Sequence, residues 1–225
     1  MAFQKLTTKK ATSLTPQIVT LVVDDSGSMS HEGKATQATE AMRDLIITMQ
    51  ANNQGAHGFR FLLNVAKFGS TTTPLAEASR PEAIALDQLA FAGDSGGTEM
   101  VGALSWAEGA VKTALAECKR IPGYNEEGAP NPLVFFFSDG KNESGGDVKP
   151  AAEALRKVPF AGGAVDVIAI GIGMNPTDFP VMEQIASRPD LAVNIDPSQL
   201  AEFIADVGVT VQKGESPSSL VDKFN

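Results

Sequence analysis

The chain has 225 residues, 43% of them hydrophobic, which is enough for one well-buried core in a single domain. Its formal net charge of −9 argues against nucleic acid and anionic membranes as partners. A single cysteine, Cys118, excludes an internal disulfide and is typical of a reducing compartment. We find neither an apolar leader segment nor an apolar run of about 18 residues, so we expect a cytoplasmic protein without a membrane span.

Short apolar runs alternate with stretches of helical periodicity along the chain. The runs are rich in β-branched and aromatic residues, which predicts strands, and the longest should be covered on both faces. In chain order, the predicted strands are residues 18–23, 59–68, 72–75, 133–137, 165–172 and 192–195. The segment 72–75 follows a Gly69-Ser70 turn and is expected to return as an antiparallel edge strand.

Between the strands, apolar residues recur every three or four positions, which predicts amphipathic helices. Their apolar stripes are Ala35, Ala38, Met42, Leu45, Ile46 and Met49; Val101, Leu104, Ala107, Val111, Leu115 and Cys118; Ala151, Ala154, Leu155 and Val158; and Leu200, Phe203, Ile204, Val207 and Val211. This alternation predicts an α/β fold with a doubly wound, mainly parallel sheet flanked by helices. We place the domain at residues 17–213, with tails at 1–16 and 214–225.

The stretch Gly93-Asp94-Ser95-Gly96-Gly97 has the letters that surround the nucleophile of trypsin-like serine proteases. Such a nucleophile needs a histidine base within hydrogen-bond reach. The chain has only His31 and His57, and the interval between His57 and Ser95 is too short for two barrels. We therefore expect Ser95 to be a neighbour of a functional Thr98 rather than a nucleophile.

Oxygen-bearing side chains follow two of the predicted strands. Asp24 ends the first strand and precedes Ser26 and Ser28, and Asp139 follows the strand 133–137. Ligands of open parallel sheets bind beyond the carboxyl ends of the strands, so these side chains converge if the two strands are neighbours. Thr98, which opens a predicted helix, adds another hydroxyl. A set of oxygen donors without sulfur or imidazole favours Mg²⁺ or Mn²⁺.

Three motifs together resemble the metal-ion-dependent adhesion site of von Willebrand factor A (VWA) domains: Asp24-Asp25-Ser26-Gly27-Ser28-Met29, Gly97-Thr98 and Ser138-Asp139-Gly140. The resemblance extends over residues 17–212 and implies a Rossmann-like sheet of strand order 3-2-1-4-5-6 with one antiparallel edge strand. It implies that an intact site binds Mg²⁺ (or Mn²⁺) through Asp24, Ser26, Ser28, Thr98 and Asp139. It also implies a protein partner that supplies a glutamate or aspartate carboxylate to the metal. Because no general base accompanies the oxygen donors, we expect no enzymatic activity.

A narrower resemblance connects the chain with small bacterial VWA proteins of tellurite-resistance and stress gene clusters. It is carried by the strand end 136–140, the polar loop 121–132 and the helix-rich C-terminus. It implies a role in a bacterial stress response, alongside a kinase or phosphatase of the same gene cluster.

Residues close to these motifs are candidates for a partner-binding rim. They are His31, Glu32, Glu99, Asn142 and Glu143. A solvated first turn accounts better for His31 and Glu32, and a charge at a helix N-terminus accounts in the same way for Glu99. We expect Asp25 to point away from the metal.

Simpler interpretations of the motifs remain. Asp139-Gly140 is an ordinary turn signal, and Ser28 is a suitable helix N-cap. A metal-dependent, phosphatase-like hydrolase is the alternative function. It would need a base, for which only His31 is a candidate, and Ser26 stands where a phosphatase Asp-x-Asp motif has its second aspartate.

Overall fold

The structure is a computed structural model that describes residues 9–53, 60–143 and 145–224. Its centre is a six-stranded sheet in the order β3-β2-β1-β4-β5-β6. The strands are β1 (Gln17–Asp24), β2 (Phe61–Phe68), β3 (Thr72–Ser79), β4 (Leu133–Ser138), β5 (Asp166–Ile172) and β6 (Ala192–Ile195). Only the β2–β3 pair is antiparallel among these strands, so the predicted order and the antiparallel edge strand are confirmed.

The two central strands, β1 and β4, are buried along their whole length, as their near-continuous apolar sequences predict. They run parallel, and Val23 pairs with Phe137. The residues that follow, Asp24 and Ser138, therefore lie side by side at the carboxyl edge of the sheet. This register brings the polar ends of the two strands together.

Six helices cover the sheet in the described part of the chain. They are α1 (Lys34–Asn53), α2 (Met100–Cys118), α3 (Val148–Arg156), α4 (Pro180–Ile185), α5 (Leu200–Lys213) and α6 (Pro217–Asp222). The predicted apolar stripes of α1, α2 and α5 are buried, apart from the partly buried Val101, and Cys118 is inside the core.

The predicted stripe of α3 is partly wrong. Val148, Ala152 and Leu155 are its buried residues, whereas Ala151 and Ala154 are half-buried. The helix starts earlier than the stripe suggested, because the Asp147 side chain caps it by accepting a hydrogen bond from Lys149 N (3.0 Å). Val148 thereby becomes the first residue of the buried face.

Aromatic packing supports the carboxyl edge of the sheet. The rings of Phe68 and Phe136 lie 5.1 Å apart, and Phe137 meets Phe203 of α5 edge to face at 6.2 Å. Phe68 is the register partner of Asp24, and Phe137 precedes Ser138. Rigid apolar packing therefore lies directly beneath the polar residues at this edge.

Part of the predicted C-terminal tail is helical and packs against the core. Residues 214–225 include α6, in which Leu220 and Val221 are buried, and the ring of Phe224 lies 5.0 Å from that of Phe203.

Two residues named in the sequence analysis lie outside the described residues. They are His57 and Phe59, and Phe59 is the first residue of the predicted strand 59–68. In the described ranges, no helix combines the length and the apolar character that a membrane crossing requires.

Candidate metal site

Asp24, the last residue of β1, is fully buried and hydrogen-bonded on both carboxylate oxygens. Its Oδ1 accepts from the backbone N–H of Ser26 (2.8 Å), and its Oδ2 accepts from the hydroxyl of Ser138 on β4 (2.5 Å). Sequence reasoning did not assign a role to Ser138. Its position one residue before Asp139, on the strand beside β1, is the signal that could have identified it.

A line of oxygen atoms connects the β1–α1 turn with the end of β4. The hydroxyls of Ser26 and Ser28 lie 3.1 Å apart, and Ser28 Oγ donates to Oδ1 of Asp139 (2.6 Å). A Cβ at Gly140 would lie 3.5 Å from Thr98 Oγ1 and 3.8 Å from Ser28 Oγ. The third hydroxyl thus approaches the same place from the start of α2. The structure brings together all five predicted ligands.

Burial raises the pKa of Asp24 from 3.8 to about 6; hydrogen bonds from Ser138 and Ser26 oppose this shift, while the nearby charge of Asp139 adds to it. A carboxylate in such a place is costly unless a cation balances it. In the described residues, no three His, Cys, Asp or Glu side chains form a metal-binding group. The donors here are two carboxylates and three hydroxyls, a set that suits a hard cation such as Mg²⁺. The residues therefore fit the metal, and their role as its ligands remains a prediction.

Asp25 points away from this cluster and anchors the loop that leads to Thr98. Its carboxylate accepts from Ala92 N, Gly93 N and the Ser95 hydroxyl, each at 2.7 Å, and from Lys67 Nζ at 2.8 Å. Burial tends to raise the pKa of Asp25, but these hydrogen bonds outweigh it and lower the pKa below its ordinary value. Ser95 also donates its backbone N–H to the Asp25 carbonyl (2.9 Å). Ser95 is therefore a structural residue of the loop, with its hydroxyl hydrogen directed at a carboxylate.

Asp25→Ala is expected to reduce the free energy of unfolding by about 3 kcal/mol, because it leaves Lys67 and two loop N–H groups without their partner. Urea unfolding at pH 7 in chelator measures the loss. Because the folded pKa is lowered, this contribution is present above the ordinary pKa of aspartate and is lost as the pH falls through the folded value. Glu108→Ala is the control, because it breaks the exposed pair with Lys112 and should cost less than about 1 kcal/mol. Equal losses in the two variants would contradict the anchoring role.

Three of the predicted rim residues make contacts around the start of α2. The Glu99 side chain caps this helix by accepting from Gly102 N (2.6 Å). The Asn142 Oδ1 accepts from Met100 N (3.1 Å), and Glu143 Oε2 accepts from Thr98 N (3.3 Å). The loop after β4 is thereby tied to the Thr98 segment. Glu99 is a capping residue, and Asn142 and Glu143 hold two sides of the site together.

The other two predicted rim residues, His31 and Glu32, are exposed on the 3-10 segment Gly27–Gly33. Glu32 has a φ of +54°, and Gly33 follows with +71°. A left-handed conformation is unfavourable for glutamate, so this turn carries local strain. It lies at a kink between Ser28 and the first residue of α1, Lys34.

Lys34 belongs to the site but was not among the predicted site residues. Its Nζ donates to Oδ2 of Asp139 at 2.9 Å, and the Asp139 carboxylate is fully buried. No sequence pattern indicates this contact, since a lysine in the first turn of a helix is normally solvated.

A profile of the von Willebrand factor type A domain matches residues 19–206. A search of curated proteins finds no match. Among solved structures, a von Willebrand factor type A protein from Catenulispora acidiphila is 20% identical, with a TM-score of 0.63, over 88% of this chain and 43% of that one. Mussel proximal thread matrix protein 1, solved with a zinc-occupied MIDAS motif, is 17% identical, with a TM-score of 0.63, over 92% and 49%.

The vWF domain of the pilus tip protein Mfa5 from Porphyromonas gingivalis is also similar, at 12% identity and a TM-score of 0.64, over 90% of this chain and 97% of that one. The chain spans about half the length of the mussel protein. At these identities the structural likeness shows the fold, whereas the profile covers most of the chain. The chain belongs to the von Willebrand factor A family.

Proposed function

We propose that the chain is a metal-dependent interaction module that binds an acidic side chain of a protein partner through Mg²⁺ or Mn²⁺. VWA domains are metal-dependent adhesion and interaction modules. The observation that carries the proposal is the buried Asp24 carboxylate beside Asp139 and a line of hydroxyls at the ligand-binding edge of the sheet. The proposed ligands are Asp24, Ser26, Ser28, Thr98 and Asp139.

The composition of the ligand set supports binding of a carboxylate. Serine and threonine hydroxyls are neutral, so the only charged ligands are two carboxylates. With a divalent cation bound, the net charge of these five side chains and the metal is zero. A cation with few charged ligands attracts a further carboxylate more strongly than one that is surrounded by acids. The chain supplies the remaining requirements itself: Asp25 positions the Thr98 loop, and Asn142 and Glu143 hold this loop against the end of β4.

We propose an interaction role rather than hydrolysis. The candidate base His31, the one histidine in the described residues, is exposed on the 3-10 segment. The hydroxyl of the candidate nucleophile Ser95 donates a hydrogen bond to Asp25. The mussel protein was solved with zinc in its MIDAS motif, which supports occupancy by a divalent metal in this fold. The oxygen-only donor set here favours Mg²⁺ or Mn²⁺ over zinc.

The resemblance to small bacterial VWA proteins supports a partner from a tellurite-resistance or stress gene cluster, of the kinase or phosphatase class. The single cysteine supports a cytoplasmic location. Neither the partner nor the location follows from the contacts at the site, so both stay predictions.

Calorimetric titration with Mg²⁺ tests the metal, and capture of the partner tests the function. We expect the wild type to bind one Mg²⁺ and Asp139→Ala to bind none, while Glu108→Ala matches the wild type. A candidate kinase or phosphatase of the gene cluster should bind in Mg²⁺ and be released by chelator. Partner binding that survives both chelator and Asp139→Ala would refute the proposal.

A further inference from the structure

The ammonium of Lys34 occupies one side of the Asp139 carboxylate. Its Nζ lies 2.9 Å from Oδ2, while Ser28 Oγ lies 2.6 Å from Oδ1. Both oxygens of this proposed metal ligand therefore already have donors, one from the turn after β1 and one from the first residue of α1. The side chain of Lys34 is 11% exposed and that of Asp139 is fully buried, so water screens this pair weakly.

Few of the ion pairs in the described residues are of this kind. Within residues 9–53, 60–143 and 145–224, only Lys34–Asp139 and Lys67–Asp25 have a fully buried carboxylate, whereas the side chains of Lys157 and Glu153, for example, are 75% and 41% exposed. Lys67–Asp25 holds a loop, as described above. Lys34–Asp139 instead involves a residue of the proposed metal site.

The position of Lys34 in its own helix is unfavourable. It is the first residue of α1, whose first turn contains no acidic residue, and a helix N-terminus favours negative charge. The strained Glu32 and the left-handed Gly33 bring the chain into this position. A lysine at the helix N-terminus and a left-handed glutamate before it are both locally unfavourable and do not stabilise the helix. Such a combination is typical of a functional residue.

We propose that Lys34 is an internal cation that competes with the divalent metal for Asp139, and so determines how tightly the site is loaded. This inference rests on the proposed metal site. Asp24, Asp139 and the Lys34 ammonium sum to a charge of −1, whereas the two carboxylates alone sum to −2. A metal ion must therefore displace the ammonium from Asp139 or bind against its repulsion, and either route costs affinity.

Neutral substitutions of Lys34 test the competition. Lys34→Gln and Lys34→Met, which retains much of the apolar stem, are expected to bind Mg²⁺ about tenfold more tightly than the wild type. Lys34→Arg keeps the charge and should bind Mg²⁺ like the wild type. Lys67→Gln is the matched control, because it breaks the other buried pair and leaves the ammonium of Lys34 beside Asp139. It should not tighten Mg²⁺ binding.

Thermal unfolding provides a second readout that is independent of partner binding. In chelator, the neutral variants should unfold about 5 °C below the wild type, since Asp139 then lacks its counter-ion. Saturating Mg²⁺ should remove this difference, because the metal replaces the ammonium as the partner of Asp139. The deficit of Lys67→Gln should persist in Mg²⁺.

The outcomes separate the two proposals. If the wild type binds Mg²⁺ and both neutral variants bind it equally or more weakly, Lys34 is not a competitor, and the metal site stands. If only the neutral variants bind Mg²⁺, Lys34 excludes the metal from the wild type, so this inference holds and the proposed function fails. If neither the wild type nor any variant binds Mg²⁺, the proposed function and this inference both fail.

Discussion

Asp24→Asn is expected to lower the affinity for Mg²⁺ more than about 100-fold, since even the loss of outer contacts around a metal costs about 10- to 100-fold. In chelator at pH 7 the same variant should be more stable than the wild type. Asn keeps an oxygen for the Ser26 N–H and an amide group that can donate to the Ser138 hydroxyl. The substitution removes a fully buried charge without creating a cavity.

The stability difference should depend on pH. The pKa of Asp24 is raised from 3.8 to about 6, so between these values the folded protein binds a proton that the unfolded chain does not. The contribution of Asp24 to the free energy of unfolding therefore increases as the pH falls from about 7 to about 4. Asn mimics the protonated acid, so the advantage of the variant should reach about 3 kcal/mol at pH 7 and vanish near pH 4.

Metal binding should show the opposite dependence on pH. A proton on Asp24 competes with Mg²⁺, so the affinity of the wild type should fall by up to about tenfold per pH unit below pH 6. Calorimetry and urea unfolding across pH 4–8 measure both effects. Asp44→Asn, which removes an exposed carboxylate from α1, is the control and should leave both curves unchanged. Undiminished Mg²⁺ binding by Asp24→Asn would refute the assignment of Asp24 as a ligand.

Such a gain in stability with a loss of binding is typical of a functional site, where selection keeps an unfavourable charge because a ligand needs it. It would separate Asp24 from Asp25, the next residue in the chain. Both carboxylates are buried, but Asp25 is surrounded by donors that favour its charged form. The pKa shifts have opposite signs, so we expect opposite effects on stability when the charges are removed.

The sequence predicted the sheet and the convergence of the site for a clear physical reason. The strands β1 and β4 are near-continuous apolar runs that need cover on both faces, and the VWA resemblance implied the order that makes them neighbours. Parallel central strands end at the same edge, so the aspartates that follow them meet there. The short helices α4 and α6, of six residues each, escaped prediction because so few residues give no clear periodicity.

The contacts around the site were less predictable than its members. Asp25 was expected only to point away from the metal, and the spacing of residues does not show that it accepts hydrogen bonds from a loop some 70 positions later. The approach of Lys34 to Asp139 depends on the strained turn at Glu32 and Gly33. Such long-range contacts depend on side-chain conformation and backbone strain, which strand and helix patterns do not encode.

Gly93→Ala should be among the most destabilising single-methyl changes near the site. Gly93 has a φ of +66°, and a Cβ there would lie 2.3 Å from Ser30 N and 2.9 Å from Met29 C. These atoms belong to the backbone of the turn that carries Ser26 and Ser28, so rotation of a side chain cannot relieve the clash. Left-handed strain and the collision together predict a loss of about 3 kcal/mol or more in the free energy of unfolding.

The same collision should weaken metal binding. Gly93 and Ala92 donate to Asp25, and this loop continues to Thr98, so forcing it away from Ser30 separates Thr98 from the serine hydroxyls. We expect the affinity for Mg²⁺ to fall at least about tenfold, because hydroxyl ligands must meet the cation at a narrow range of distances. Urea unfolding in chelator and calorimetric titration at a temperature where the variant is folded measure the two losses.

Gly109→Ala is the matched control for this change. Gly109 lies inside α2, and a Cβ there meets nothing within 4 Å, so alanine should stabilise the protein by up to about 1 kcal/mol. Its affinity for Mg²⁺ should be that of the wild type. If Gly93→Ala loses stability but retains full Mg²⁺ affinity, the position of Thr98 does not depend on this loop contact. If it loses neither, the close approach of the loop to Ser30 is itself wrong.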